Sequence, residues 1–583
     1  MPNPSTTPLS LSQIVQRADR LAAMPSPAMP SQRIAIAGTV TLDYLRSAIA
    51  CAVAAEGVFP VIYQAPFGSL VQEVLDPASA LHGFAPELVV LVPSHRDLIA
   101  LLPVGASQSE VDTALQPTIE LYRKLWSTLA SANIRIIQHT LVPPPNRYRG
   151  LAERVAPAAP ANQVRRLNEG LLTAGLGLVH FLDLERIAGE IGSRRWSAAR
   201  FYHSAKLDFD PRWLPDYLAP FRAAGRGANA RAKKVLALDL DNTLWGGVIG
   251  DDGVAGLVLG PGSAAGEAFE DWQRTIKGLA ERGVVLAVCS KNAPEIAAGG
   301  FTHPNAVLQR DDFAAFECSW SDKPGALRRI AKSLNLGLDA FVFADDNPAE
   351  CELVRQELPE VAVVHLGADP AQFVELLDAG CWFDLPAYTT EDLGRAAAYT
   401  ARAAAITGQV EATDIDSYLA SLGMKGRLYR PDEADIARVA QLEHKTNQFN
   451  VTTRRYSDAQ IRRFLATNDA MILVLRLSDR FGDHGLVSTL IAVHEGNAVR
   501  IDSWLMSCRV FARSAEQFIL RGLIDGARAR GATSVIGEYL PTAKNGVVTE
   551  LYPGLGFSQA DGAFFTRDLV ASAEDLITHI AAA

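Results

Sequence analysis

A chain of 583 residues is too long for one hydrophobic core, and the usual domain size divides it into three or four. Its 55 basic and 65 acidic residues leave a net charge of -10, with no basic stripe to neutralise phosphates, which argues against a nucleic-acid partner. Cys51, Cys289, Cys318, Cys351, Cys381 and Cys508 lack the paired spacing of a zinc site or a disulfide framework, residues 1–9 carry no signal pattern, and no apolar run reaches membrane length; the expectation is a cytoplasmic protein with no membrane attachment.

In chain order, short apolar runs at 33–38, 59–64, 87–92, 134–141 and 178–184 read as strands, and 42–56 and 111–130 as helices. This alternation predicts an α/β domain with a parallel sheet over residues 1–224. Its first strand runs into Gly38-Thr39 without a Gly-Asp-Ser nucleophile signature, so docking or stabilisation is expected there rather than hydrolysis. The segment 225–234, rich in Gly, Ala and Arg, reads as a linker to a catalytic domain spanning 235–388.

That domain opens on an apolar run, Val-Leu-Ala-Leu, followed by Asp239-Leu-Asp241-Asn-Thr243. A buried strand would hold Asp239 and Asp241 at its carboxyl end, where an open α/β sheet forms a ligand crevice. Asp239 is a competent nucleophile toward a phosphoryl group once a divalent cation screens the repulsion between two anions. Asp241 can serve as acid and base if its own carboxyl stays off the metal. A second apolar run, 283–288, ends in Cys289-Ser290-Lys291-Asn292; Lys323 follows in Trp-Ser-Asp-Lys-Pro; a third run, 341–344, ends in Asp345-Asp346-Asn347. The stretches 241–266 and 290–323 are too short for a capping domain, which predicts an open mouth able to admit an arm presented by another protein.

This ordered set resembles the haloacid dehalogenase (HAD) superfamily of phosphotransferases. The resemblance implies a Rossmann-like parallel sheet, Asp239 as nucleophile or metal ligand, Ser290 and Lys323 on phosphate, and Mg2+ held by Asp239, the backbone carbonyl of Asp241, and Asp345. Asp346 is the weaker ligand candidate, because adjacent residues at a strand end point apart. Thr243 and Asn292 join the substrate-binding candidates. Residues 239–250, 289–292, 344–350, 445–456 and 506–511 narrow the likeness to the FkbH-type branch. That branch implies transfer of the glyceryl group of 1,3-bisphosphoglycerate, with dephosphorylation, to the phosphopantetheine thiol of an acyl carrier protein in polyketide or related biosynthesis. An enzyme thiol could relay the acyl group, with Cys289 preferred and Cys508 second. The alternatives are a plain Mg-dependent phosphatase and a non-catalytic carrier-binding module. The first 224 residues are similar to the SGNH-hydrolase-like region that precedes the catalytic domain in longer FkbH-type proteins.

Residues 389–583 read as a further mixed domain, with antiparallel strands at 470–476, 484–494 and 499–507, a helix at 515–530 and a strand at 534–539. The pattern, with Asn545, Tyr552, Gly556 and Phe557, resembles the GNAT acyltransferase fold. Its phosphate loop would be Arg509-Val-Phe-Ala512-Arg513-Ser514, where Ala512 and Ser514 replace the small positions that let a backbone approach pyrophosphate closely. His444, Asn447 and Asn450 are candidates to line the path of a carrier arm, or polar caps of a helix near 434–444. Arg454, Arg455, Arg462 and Arg463 form the basic cluster available for carrier docking, or a solvated helix face.

Overall fold

The computed structural model describes every residue except 1–8, 25–29, 147–149, 230, 386, 401–418, 421, 446–448, 468, 480–481, 508–509, 511–512, 543–544 and 570–575. Three sheets organise it. The first contains β1 (Ser31–Gly38), β2 (Phe59–Gln64), β3 (Leu88–Val92), β4 (Arg135–His139) and β5 (His180–Leu182) in the order β2-β1-β3-β4-β5, all parallel. Its five strands and the helices Asp43–Ala55 and Gln108–Ser131 fall where the apolar runs predicted them. The central β3 is buried along its whole length, because helices cover both faces of such a sheet and every side chain meets a core.

The second sheet contains β6 (Val235–Leu238), β7 (Val285–Ser290), β8 (Phe313–Cys318), β9 (Phe341–Asp345) and β10 (Ala362–His365) in the order β10-β9-β6-β7-β8, again all parallel. The chain leaves central β6 toward β7 on one side and later returns to β9 on the other, so the crevice between the carboxyl ends of β6 and β9 is a topological switch point. β8 and β10 are edge strands whose short, partly polar runs gave no clear alternation, and the sequence reading did not identify them. Only a short helix, Ile249–Gly256, lies between Asp241 and the helix Ala264–Glu281; the helix Pro294–Gly300 and β8 fill the space before Lys323. No cap of domain size is inserted at either place, as the spacing predicted.

The third sheet is mixed: β11 (Lys425–Tyr429), β12 (Ala470–Asp479), β13 (Gly482–Glu495), β14 (Ala498–Met506), β15 (Ser534–Glu538), β16 (Ser558–Gln559), β17 (Phe564–Asp568) and β18 (Ala581–Ala582), in the order β16-β17-β15-β14-β13-β12-β11-β18. β12, β13 and β14 form the expected antiparallel meander, β14 pairs with β15 in parallel, and the helix Ala515–Ala529 packs its apolar face into this core. The molecule is therefore α/β in its first two sheets and α+β in its third.

By compactness, residues 1–232 and 378–387 form one unit, and 233–377 with 388–583 the other. The helix Leu214–Ala228 runs into the segment 225–234 that was read as a linker, and β6 starts immediately after that segment. Among the described residues no helix is long and apolar enough to cross a membrane.

Candidate active site

The site is built at the carboxyl ends of β6, β7 and β9. β6 ends at Leu238, and the Asp239 amide donates to the Ala344 carbonyl at 3.1 Å, which fastens the start of the first acidic loop to β9. Asp345 is the last residue of β9 and is 1% exposed, so its carboxyl is fixed at the floor of the crevice. Lys323 reaches this floor from the first position of the helix Lys323–Leu334, whose N-cap Asp322 accepts from the Gly325 amide at 2.6 Å. The Lys323 ammonium donates to Asp239 Oδ1 at 2.6 Å and to the Cys289 carbonyl at 2.7 Å, and lies 3.1 Å from Asp345 Oδ2.

Oxygens of Asp239, Asp345 and Asp346 all lie within 4.8 Å of one another, a carboxylate cluster of the kind that holds a hard cation. Asp345 Oδ2 is fully buried and, despite its closeness to Lys323, receives no aligned hydrogen bond. Burial, reinforced by the charge of Asp239 and opposed by Lys323, pushes the Asp345 carboxyl up to about 6. The same two causes raise Asp346. Three crowded carboxyls beside one ammonium are a site whose charge balance improves with a divalent cation, so the donor set fits Mg2+. Asp346, the weaker ligand candidate from the sequence, belongs to the cluster: β9 ends at Asp345, so strand alternation no longer governs the next residue. The Thr243 hydroxyl, buried at 0% exposure, donates to Asp346 Oδ1 at 3.3 Å.

The Asp241 carboxylate is outside that carboxylate cluster and is held by three donors. Trp245 Nε1 and the Ile249 amide both donate to Oδ1 at 3.0 Å, and Asn292 Nδ2 donates to Oδ2 at 2.8 Å. Asn292 also reaches the Ser290 hydroxyl at 3.4 Å, linking the ends of β6 and β7. The Trp245 ring is packed so closely against Gly300 that a Cβ there would stand 2.4 Å from it, so a side chain at 300 would displace the indole that orients Asp241. Trp245 was not singled out from the sequence, although it lies inside the conspicuous 239–250 segment. Lys291 pairs with Glu350 across the ends of β7 and the helix Pro348–Glu357, and it too went unnoticed as a site residue.

Cys289 departs from expectation. Strand alternation turns it away from Ser290 and into the apolar core, where it is 0% exposed beside Val235, Leu327 and Phe343. Burial pushes its thiol up to about 12, against the opposing charge of Lys323. A protonated, inaccessible thiol is a poor acyl relay. Burial alone would lower the Lys323 ammonium, but Asp239 and Asp345 together hold it above the ordinary lysine range, so it stays a cation.

In the third sheet Arg454 is spent on Asp502 and Glu538, Arg455 donates to the Glu443 carbonyl, and Arg462 pairs with Glu433. Arg454 and Arg455 are thus tied to internal partners, while the Arg462 pair with Glu433 lies on the surface, as a solvated helix face would have it. The Asn450 side chain accepts from the Thr453 amide at 2.8 Å and is fully buried, a structural role. Cys508, Arg509, Asn447 and the side chain of His444 lie outside the described residues.

No family model and no curated protein matches the sequence. Among solved structures, the chain is similar to the N-terminal part of protein BF1531 from Bacteroides fragilis, which contains a phosphatase domain and is complexed with Mg, at 26% identity and a TM-score of 0.58 over 65% of this chain and 100% of that one. Other solved structures overlap about a quarter of this chain. The ribosomal-protein-S18-alanine N-acetyltransferase of Escherichia coli does so at 14% identity and a TM-score of 0.20 (26% of this chain, 99% of that one), and the GNAT domain of S. lividans PAT at 16% and 0.21 (24% and 90%).

Proposed function

We propose that the second sheet carries a Mg2+-dependent phosphoryl-transfer site of the HAD type. In its specific form, the chain takes the glyceryl group of 1,3-bisphosphoglycerate to the phosphopantetheine thiol of an acyl carrier protein with loss of both phosphates. The observation that carries the reading is the convergence of Asp239, Asp345, Asp346 and Lys323 at the switch point, with Asp241 held apart from the carboxylate cluster and tied through Asn292 to Ser290. The similar Bacteroides fragilis structure, with its phosphatase domain and Mg, supports the phosphoryl-transfer part. The FkbH-type segments of the sequence, 445–456 and 506–511 among them, support the glyceryl and carrier part.

Asp239, Asp345 and Asp346 would hold the cation, which supplies charge neutralisation between a carboxylate nucleophile and a phosphate. Asp239 attacks phosphorus, and the ester oxygen leaves with a proton from Asp241. Asp241 then takes a proton from the water that hydrolyses the aspartyl phosphate. Lys323 and Ser290 grip the non-bridging oxygens. At the acyl phosphate end, the carrier thiolate attacks the carbonyl carbon, the C–O bond to phosphate breaks, and inorganic phosphate leaves, giving a thioester without an oxidant. With Cys289 buried, direct attack by the carrier thiol is the simpler route.

The test is intact-protein mass spectrometry of a holo carrier after incubation with the purified chain, Mg2+ and 1,3-bisphosphoglycerate. A mass gain matching glyceryl is expected. Phosphate release from small phosphoesters without that gain leaves the plain phosphatase, and tight carrier binding with neither reaction favours the non-catalytic module. The Asp239→Asn variant loses both reactions by about 10⁴-fold or more, the usual consequence of removing a nucleophile.

A further inference from the structure

Of the eight tryptophans, all among the described residues, Trp320 alone is exposed, at 77%. A lone apolar side chain on a surface is ordinary, but an indole carries more apolar area than most and is buried on average. Its position in the fold is specific. Ser319, the residue before it, donates its amide to the Ser290 carbonyl at 3.1 Å, and Lys323, three residues after it, donates to Asp239 Oδ1 at 2.6 Å. Consecutive Cα atoms are about 3.8 Å apart, so Trp320 stands on the rim of the phosphoryl-transfer crevice, just past the end of β8.

The loop that carries the indole is fastened to itself. The hydroxyls of Ser319 and Ser321 share a hydrogen bond at 2.7 Å, and the Arg329 guanidinium donates to both of them and, at 2.8 Å, to Glu317. Asp322 is occupied in capping the helix Lys323–Leu334. These polar side chains are spent on one another, so the indole is what the loop offers a ligand, and it is offered in a fixed place. A contact ordered before binding loses little entropy when it forms.

The reaction proposed above has two substrates, and they ask different things of a rim. The bisphosphorylated donor carries an anion at each end and little apolar surface, and the face of an indole is negative and repels an anion. The pantetheine arm, beyond its own phosphate, is uncharged, with two amide planes and a gem-dimethyl group, which are the shapes and polarity that lie well on an indole face. We infer that Trp320 is the binding residue for the acyl acceptor: the amide and dimethyl stretch of the pantetheine arm lies against its ring, and the thiol beyond reaches the acyl phosphate in the crevice. The donor is then selected by charge at the crevice floor and the acceptor by apolar contact at its mouth. This assignment rests on the two-substrate reading and names the contact that recognises the second substrate.

The experiment uses the full chain with Mg2+ and with 5-fluorotryptophan in place of tryptophan, the Trp320 fluorine signal being assigned by its loss in Trp320→Leu. Pantetheine, the free neutral arm, should shift that signal saturably and leave the other signals in place. Acetyl phosphate, an anionic stand-in for the donor, should not shift it. With 1,3-bisphosphoglycerate as donor, Trp320→Ala should raise KM for pantetheine at least tenfold and move kcat much less, and Trp320→Tyr, which keeps an aromatic face, should recover most of the loss. The fluorine titration needs no turnover, so the two readings fail separately: a parent chain that forms no thioester defeats the two-substrate reaction, while a saturable shift still places the arm on Trp320. A Trp320 signal that pantetheine leaves unmoved or shifts without saturation, an equal shift by acetyl phosphate, or an unchanged KM in a thioester-forming Trp320→Ala chain would overturn the inference.

Discussion

Cys289 and Ser290 are neighbours in the chain and opposites in environment. Ser290 reaches Asn292 at the crevice, and Cys289 joins the core, because a strand turns successive side chains to opposite faces. Cys289→Ala should therefore cost about 1 kcal/mol of stability, for the small cavity it leaves, and keep carrier loading within a few-fold of the parent. Loading that vanishes in a folded Cys289→Ala protein would restore the covalent relay. Glu443 makes a second residue-scale prediction. It is 0% exposed, and burial pushes its carboxyl from an ordinary 4.5 up to about 8, against the help of Ser503 and Arg455. Between those two values the folded chain holds a proton that the unfolded chain has lost, so this group's contribution to stability falls as pH rises through the window. The difference in denaturation free energy between Glu443→Gln and the parent should grow by about 1.4 kcal/mol per pH unit across it, and a flat difference would show that Glu443 is ionised when folded.

At the scale of elements, the site depends on where helices and strands begin and end. The helix Lys323–Leu334 starts at the residue that grips Asp239, and its start is set by the Asp322 cap. Asp322→Ala should cost about 1 kcal/mol and lower kcat more than it raises KM, since fraying the first turn moves the ammonium off the acidic floor; thermal denaturation and steady-state kinetics check both parts. Element types were largely legible in the sequence. The two parallel sheets announced themselves as apolar runs ending in polar loops, because strands covered on both faces have no solvent side to mark. The edge strands β8 and β10 did not, because each is partly exposed and includes a polar residue, Glu317 in one and His365 in the other. Within the site the aspartates, Ser290 and Lys323 were legible from residue type at strand ends. Trp245 was not, since an indole in an apolar run reads as core until its nitrogen is seen at Asp241.

At the scale of the whole molecule, residues more than a hundred positions apart must share one charge. Asp239 on one side of the switch point and Asp345 and Asp346 on the other repel each other, with Lys323 as the ammonium between Asp239 and Asp345. Chelation with EDTA should abolish phosphoester turnover and Mg2+ should restore it. At a Mg2+ concentration of 100 times its dissociation constant, linkage predicts about 2.7 kcal/mol of added stability, measurable as an upward shift in the unfolding of the second sheet; Asp345→Asn should remove most of that shift.

The sequence alone determined the identity and order of the acidic, hydroxyl and lysine candidates of the site, because an apolar run closed by Asp, Ser or Asp-Asp carries its own signal over a few residues. Only the tertiary structure decided which of those groups face one another. Asp346 joined the carboxylate cluster once β9 ended, Cys289 was lost to the core, and the arginines at 454, 455 and 462 were claimed by partners elsewhere in the chain. Each of those outcomes depends on strand ends, facing and long-range pairing, which packing of the sheets settles and local residue pattern does not encode.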